Sequence, residues 1–332
     1  MTDEPRIAKP RVVMTARLLP EVEARMAELF DARFNPDDHA LTREELAAAM
    51  ADCDVLVPTV TDRIDAALIA AAPDRLKLIA NFGTGVDHID LAAAQQRHIA
   101  VTNTPGVFTE DTADMTLALI LSVPRRLAEG EKLMRSGGWK GWRPSGMLGH
   151  RVGGKTLGIV GFGRIGEAVA QRARGFGFNI LYNKRRRLPP LIEEELGVTY
   201  EPDLDRLVAR SDIVSLHAPL TEETRGFIDA GRIRAMKPEA YLINTSRGEL
   251  IDEDALIEAL EAGRIGGAGL DVYTHEPAVD PRLLALDNVV LLPHLGSATF
   301  EGREASGERV IANIRIWADG HRPPDQVLTG MG

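Results

Sequence analysis

Arg247, Glu276 and His294, separated by 29 and 18 residues, each follow an apolar run in the second half of the chain. With a hydride donor beside them, these three side chains can reduce a 2-oxo acid. That reaction needs a cation for the carboxylate and carbonyl, an acid to protonate the new alkoxide, and a group that keeps this acid charged near neutral pH. The planar fork of Arg247 suits the first task. An imidazole titrates near working pH, which suits His294 to the second, and Glu276 can pair with the imidazolium. Each also has an ordinary structural use: Arg247 as a surface ion-pair donor, Glu276 as a solvated residue before Pro277, His294 as a packed or capping residue after Pro293. Their joint placement after successive strands favours catalysis.

The elements that must position them are parallel strands. Residues 212–216, 240–244, 267–272 and 289–292 read as buried strands, and each delivers polar residues at its end, among them His217, Ser246, Thr274 and His294. Convergence of that kind defines a crevice at one edge of a sheet. Another strand, 156–160, runs through Gly161-Phe162-Gly163-Arg164-Ile165-Gly166 into a helix with Ile165, Val169 and Ala173 at core spacing. The first glycine permits a tight turn, the second lets the backbone approach a phosphate, and the third lets helix and strand pack closely, so a dinucleotide's pyrophosphate belongs there.

The next strand, 179–182, ends about twenty residues on, where an acidic residue would bind the ribose of NAD. Here stand Asn183 and the run Lys184-Arg185-Arg186-Arg187. A neutral amide beside guanidinium groups accepts a 2′-phosphate that a carboxylate would repel, so NADPH is expected over NADH, with Asn183, Lys184, Arg185 and Arg186 as contacts. A solvated basic loop is the plainer alternative.

The N-terminal part alternates in the same way. Strands are expected at 12–14, 54–57, 76–80 and 99–101, and helices at 22–30, from Thr42 with a Thr42/Glu45 capping box, at 64–71 and from Leu91. The loop holding Gly83 and Gly85 is either an anion-holding nest or a plain turn, and His88 within it reads as structural. Asn103-Thr104-Pro105-Gly106 is the strongest linker signal. A helix is expected from 111 to 121 before Pro124, and a last helix, 297–319, returns to the first domain. Residues 135–154 are rich in glycine and carry Trp139 and Trp142, which suggests a subunit interface.

At 332 residues, with 44% hydrophobic and 27% charged residues, the chain suits two domains of ordinary soluble composition. A net charge of −10 argues against nucleic acid as a partner. The single Cys53 excludes an internal disulfide and a cysteine-based zinc site, and no metal is expected. No apolar run reaches membrane-spanning length and no signal-peptide pattern is visible, so a cytoplasmic location is expected.

The glycine turn, Asn244-Thr245-Ser246-Arg247-Gly248, Leu270-Asp271-Val272 with Glu276-Pro277, and Pro293-His294-Leu295-Gly296-Ser297 resemble the D-isomer-specific 2-hydroxyacid dehydrogenase family. The likeness runs from about Ile79 to the C-terminal helix and is greatest to glyoxylate/hydroxypyruvate reductases. It implies an α/β architecture of two doubly wound parallel sheets: a flavodoxin-like substrate domain, 1–102 with 293–332, and a Rossmann nucleotide domain, 103–292, inserted into it. It further implies a cleft that closes on a small 2-oxo acid, with hinges near Thr104 and Pro293, and a homodimer. Thr84 and Gly85 would bind the substrate carboxylate through their amides. Thr112 and Asp271 would approach the nicotinamide, His217, Ala218 and Pro219 would border the adenosine, and Thr245, Ser246 and Gly296 would complete the cofactor contacts. Trp142 would enter the neighbouring subunit's site. The departure is Asn183, where many members carry Asp. A non-catalytic NAD(P)-binding sensor, like the corepressors related to this family, is the rival expectation. A methyltransferase with a similar glycine turn would have no use for the Arg–Glu–His set.

Overall fold

A computed structural model describes residues 9–328. The chain divides into two compact units, one running to Phe108 and resuming at Ala298, the other Thr109–Ser297.

The first unit holds five strands: β1 (Arg11–Met14), β2 (Asp31–Arg33), β3 (Val55–Val57), β4 (Leu78–Ala80) and β5 (Ala100–Thr102). All are parallel, in the order β2-β1-β3-β4-β5, the doubly wound order of flavodoxin-like folds. Strand periodicity divides the core into two layers. Val55 and Val57 pack with Val12 and Met14 on one face, while Leu56 packs with Met50 and Ile69 on the other. The helix Phe300–Ala318 belongs to this unit, because Val310, Ile311 and Ile314 complete the first layer. Val107 and Phe108 pack there too, which carries the unit past the Asn103–Gly106 turn, about six residues beyond the boundary expected from the sequence.

The expected elements form with small shifts. Thr42 and Glu45 make the capping box, and the 64–71 helix starts at Ala66, because Ile64 pairs instead with Ile89 and Asp65 caps the helix through the Leu68 amide. Strand β2 had no signal: Asp31-Ala32-Arg33 is a mostly exposed edge strand without an apolar run.

The second unit is a seven-stranded parallel sheet: β6 (Thr156–Val160), β7 (Asn179–Asn183), β8 (Val198–Tyr200), β9 (Ile213–Leu216), β10 (Tyr241–Asn244), β11 (Gly267–Leu270) and β12 (Val289–Leu291). Its order, β12-β11-β10-β9-β6-β7-β8, reverses direction between β6 and β9. This is the Rossmann arrangement, in which ligands bind beyond the strand ends at the reversal. Strands β9, β10 and β11 are buried throughout, as parallel strands covered on both faces must be. Helix Thr109–Ser122 lies against β10 and β11 and ends ahead of Pro124. Residues 137–151 are exposed along their whole length. No helix among the described residues is long and apolar enough to cross a membrane.

Candidate active site

The glycine turn connects β6 to the helix Arg164–Gly175. Gly161 has φ +86, and a Cβ there would lie 2.4 Å from the Ala218 amide nitrogen, so the loop after β9 crosses directly over the turn. A Cβ at Gly166 would meet the Gly161 carbonyl at 2.5 Å. Gly163 differs, since a Cβ there would meet no protein atom within 4 Å. Packing therefore fixes the outer two glycines, while the middle one faces open space at a helix N-terminus that no side chain caps. Uncapped first-turn amides beside a backbone with no side chain fit a pyrophosphate. Phe162 is buried against Tyr182, so it supports the turn from within the core.

Beyond β7, the Asn183 side-chain amide donates to the Glu201 and Pro202 carbonyls (2.9 and 3.0 Å), which leaves only its carbonyl oxygen to face a ligand. Arg187 is held by Glu193 through two contacts of 2.9 and 2.7 Å. Arg185 and Arg186 are exposed, and neither forms an ion pair among the described residues. After β9, the His217 ring lies 2.8 Å from the Ser215 hydroxyl, and burial pushes it down to about 3. The Ser246 hydroxyl donates to the Ala218 carbonyl at 2.6 Å and ties the loops after β9 and β10 together.

The three candidate catalytic side chains come from the loops after β10, β11 and β12. Arg247 donates to the Ser246 carbonyl at 2.7 Å, and the Asn244 amide holds the Arg247 carbonyl at 2.8 Å. The neighbouring Gly248 is indispensable, because a Cβ there would lie 2.0 Å from the Tyr273 carbonyl carbon. Only a glycine lets the Arg247 loop meet the loop that delivers Glu276. His294 Nδ1 lies 2.8 Å from Glu276 Oε2, and Glu276 Oε1 accepts the Tyr273 amide at 3.0 Å. Burial opposes ionisation of the Glu276 carboxyl, but the His294 hydrogen bond and charge, the Tyr273 amide and the Arg247 charge together hold it below the usual carboxylate range. A carboxylate accepting at Nδ1 fixes the hydrogen there and leaves Nε2 to exchange a proton.

Asp271 has the role of a clamp. Its carboxylate accepts the Leu295 and Gly296 amides at 2.6 and 2.7 Å, and its carbonyl accepts the His294 amide at 3.0 Å. Burial pushes this carboxyl up, against the opposing pull of those donors. His294 itself has φ +55, a left-handed conformation uncommon for histidine, and the three bonds to Asp271 hold it. Thr112 donates to the Gly296 carbonyl at 3.0 Å, and Thr116 and Thr245 share a hydrogen bond of 2.8 Å. Tyr273 and Thr116 thus support the site without having signalled it in the sequence, because each acts through a backbone group or a neighbouring hydroxyl that only the folded loops bring near, while Asn244, part of the Asn244–Gly248 motif, acts through the Arg247 carbonyl.

In the first unit, the loop after β4 has its carbonyls tied down. Asn81 donates to the Gly83 and Gly85 carbonyls, the Asn103 side chain to the Thr84 carbonyl, and the Thr104 amide to that of Gly83. The amides of Thr84 and Gly85 make no hydrogen bond among the described residues. His88 is engaged with the Asn81 carbonyl oxygen at 3.0 Å, in keeping with a structural role. Trp142 is 81% exposed. No group of histidine, cysteine or acidic residues among the described residues could hold a metal.

Residues 117–296 match the family model described as D-isomer specific 2-hydroxyacid dehydrogenase, NAD binding domain. The glyoxylate reductase of Thermococcus litoralis is 48% identical over 324 residues, covering 96% of this chain and 97% of that protein. The chain belongs to the D-isomer specific 2-hydroxyacid dehydrogenase family. It is an oxidoreductase that uses a nicotinamide dinucleotide. The dehydrogenase is also 47% identical to the glyoxylate reductase of Thermococcus onnurineus, over 96% of both chains. Among solved structures, it resembles the NADPH-dependent glyoxylate/hydroxypyruvate reductase of Sinorhizobium meliloti in complex with NADP and malonate, at 34% identity and a TM-score of 0.84, covering 96% of this chain and 97% of that one.

Proposed function

We propose that this dehydrogenase reduces glyoxylate, and hydroxypyruvate as a second small 2-oxo acid, with NADPH preferred over NADH. The observation that carries this reading is the 2.8 Å His294–Glu276 pair, delivered to the sheet edge that also bears Arg247 and the glycine turn. A dinucleotide held by the glycine turn would supply the hydride for the carbonyl carbon. Arg247 orients the carboxylate and polarises the carbonyl, His294 donates the proton from Nε2 to the developing alkoxide, and Glu276 stabilises the imidazolium that donates it. Thr84 and Gly85 offer their amides to the substrate carboxylate.

The cofactor preference rests on the absence of a carboxylate at Asn183 and on the unpaired Arg185 and Arg186. Thr112, His217, Ala218, Pro219, Thr245, Ser246, Asp271 and Gly296 are assigned to the cofactor, most of them as loop supports rather than as charged contacts. A homodimer built through residues 124–154 gives the exposed Trp139, Trp142 and Leu148 a place to be buried, with Trp142 reaching into the neighbouring site. Steady-state oxidation of NADPH and NADH against glyoxylate, hydroxypyruvate, pyruvate and phenylpyruvate tests the reading. It expects the highest kcat/KM for glyoxylate or hydroxypyruvate with NADPH. A protein that binds NADPH and turns over none of these acids would be the non-catalytic sensor instead.

A further inference from the structure

We infer that Glu193 is a cofactor-selecting residue, acting on the 2′-phosphate without touching it. This inference rests on the NADPH preference proposed above and names the device that sets up its cationic loop. Glu193 sits in the helix Pro190–Leu196 and is only 8% exposed. Its carboxylate takes two hydrogen bonds from Arg187 and a third, of 2.7 Å, from the Tyr182 hydroxyl. That hydroxyl in turn accepts the Leu188 amide at 2.8 Å, so one carboxylate and one phenol close the ring of chain from residue 182 to 193. The Tyr200 hydroxyl fixes the Lys184 carbonyl at 3.1 Å, and Arg187 lies over the Tyr200 ring at 5.8 Å. Tyr182 is buried between Phe162 of the glycine turn and Tyr200, which makes the clasp continuous with the phosphate-binding turn.

The consequence concerns which cations remain available. In the sequence, residues 184–187 are four equivalent positive charges. In the folded loop, Arg187 is committed to an almost buried carboxylate, and pinning both ends of the loop holds Arg185 and Arg186 outward with no carboxylate to neutralise them. Two guanidinium groups on a fixed loop bind a phosphate better than the same groups on a mobile one, because less conformational freedom is lost on binding. Glu193, although negative, therefore favours NADPH.

The opposite outcome is equally definite. If Arg187 were itself a phosphate ligand restrained by Glu193, removing Glu193 would release it and strengthen NADPH binding. Glu193→Ala, Arg187→Ala and the double variant separate the two cases, with kcat/KM measured for both cofactors and Kd for 2′,5′-ADP by calorimetry. The clasp predicts that both single variants lose about tenfold or more in NADPH efficiency and in 2′,5′-ADP affinity, that the double variant loses little beyond either, and that Glu193→Ala keeps its NADH efficiency within about twofold. Retained NADH turnover and an unchanged melting profile exclude misfolding. Should Glu193→Ala destabilise the protein, Glu193→Gln, which keeps the volume and weakens the charge pairing, carries the same test. Unchanged or improved NADPH efficiency in Glu193→Ala, alongside a loss in Arg187→Ala, overturns the inference. A wild-type enzyme with no NADPH preference overturns the underlying reading instead.

Discussion

His294 has two separate attachments, and they serve different ends. Asp271 fixes its backbone in the left-handed region, whereas Glu276 fixes its ring through Nδ1. Replacing the side chain should therefore remove the acid and leave the loop intact: His294→Ala is expected to cost about 10²–10⁴-fold in turnover with little change in cofactor Kd. Arg247→Ala should instead raise KM and lower kcat together, because the proposed role gives one fork both binding and polarisation. Steady-state kinetics paired with fluorescence titration of the cofactor distinguish the two patterns.

His217 gives a residue-level prediction about stability. Its folded-state value, about 3, is depressed from 6.5, so between those limits the unfolded chain binds a proton that the folded chain refuses. Stability must then fall as pH drops below 6.5. The ring's partial exposure moderates the size of the effect but not its sign. His217→Asn should show a shallower loss of thermal stability from neutral pH towards pH 4 than the wild type, and an identical slope in the two proteins would contradict this assignment.

At the scale of elements, the β6 turn separates two kinds of glycine. Gly161→Ala would place a methyl group 2.4 Å from the loop after β9 at a positive φ, and it should destabilise the fold by about 1–3 kcal/mol or more. Gly163→Ala meets no protein atom and should melt like the wild type, yet it should bind cofactor weakly because the methyl group occupies the phosphate's approach. Thermal melts combined with NADPH titration check both halves; weakened binding with normal stability is expected at Gly163 alone.

The same elements show what the sequence could reveal. Most of the strand order, the glycine turn and the Arg247, Glu276 and His294 positions are legible, because short continuous apolar runs and glycine or proline punctuation are local signals; β8, like β2, is not, being a three-residue strand with only Val198 buried. Less visible were contacts made by folding. The edge strand β2 has no apolar pattern to announce it, and Glu193 lies in a helix whose sequence gives no hint that it reaches back to Arg187 and Tyr182. Asn183 shows the limit within one residue. Its neutrality was legible, but the commitment of its amide to the Glu201 and Pro202 carbonyls was not.

At the scale of the whole molecule, net charge and local charge have opposite signs. On a chain of net charge −10, the proposed binding of an anionic cofactor and an anionic acid calls for local cationic exceptions, the part the proposal gives to the Arg185–Arg186 pair and Arg247. The exposed segment 137–151 is the other large-scale feature, with Trp139, Trp142 and Leu148 at 54%, 81% and 65% exposure. Light scattering at micromolar concentration should report a dimer, and removal of residues 137–148 should give a monomer; a monomeric wild type would eliminate the role given to Trp142.

The central claim is that the His294–Glu276 pair supplies the proton for carbonyl reduction. Its most direct test is single-turnover oxidation of NADPH by glyoxylate, followed across pH for the wild type and Glu276→Gln. Burial opposes ionisation of Glu276, but the His294 hydrogen bond and charge hold its carboxyl below the usual carboxylate range, so the wild-type rate should fall on the acid side only as pH drops through that lowered value, whereas Glu276→Gln, with no carboxylate to protonate, should be slower throughout and lack that step. Superimposable pH profiles, with chemistry limiting in both proteins, would contradict the account.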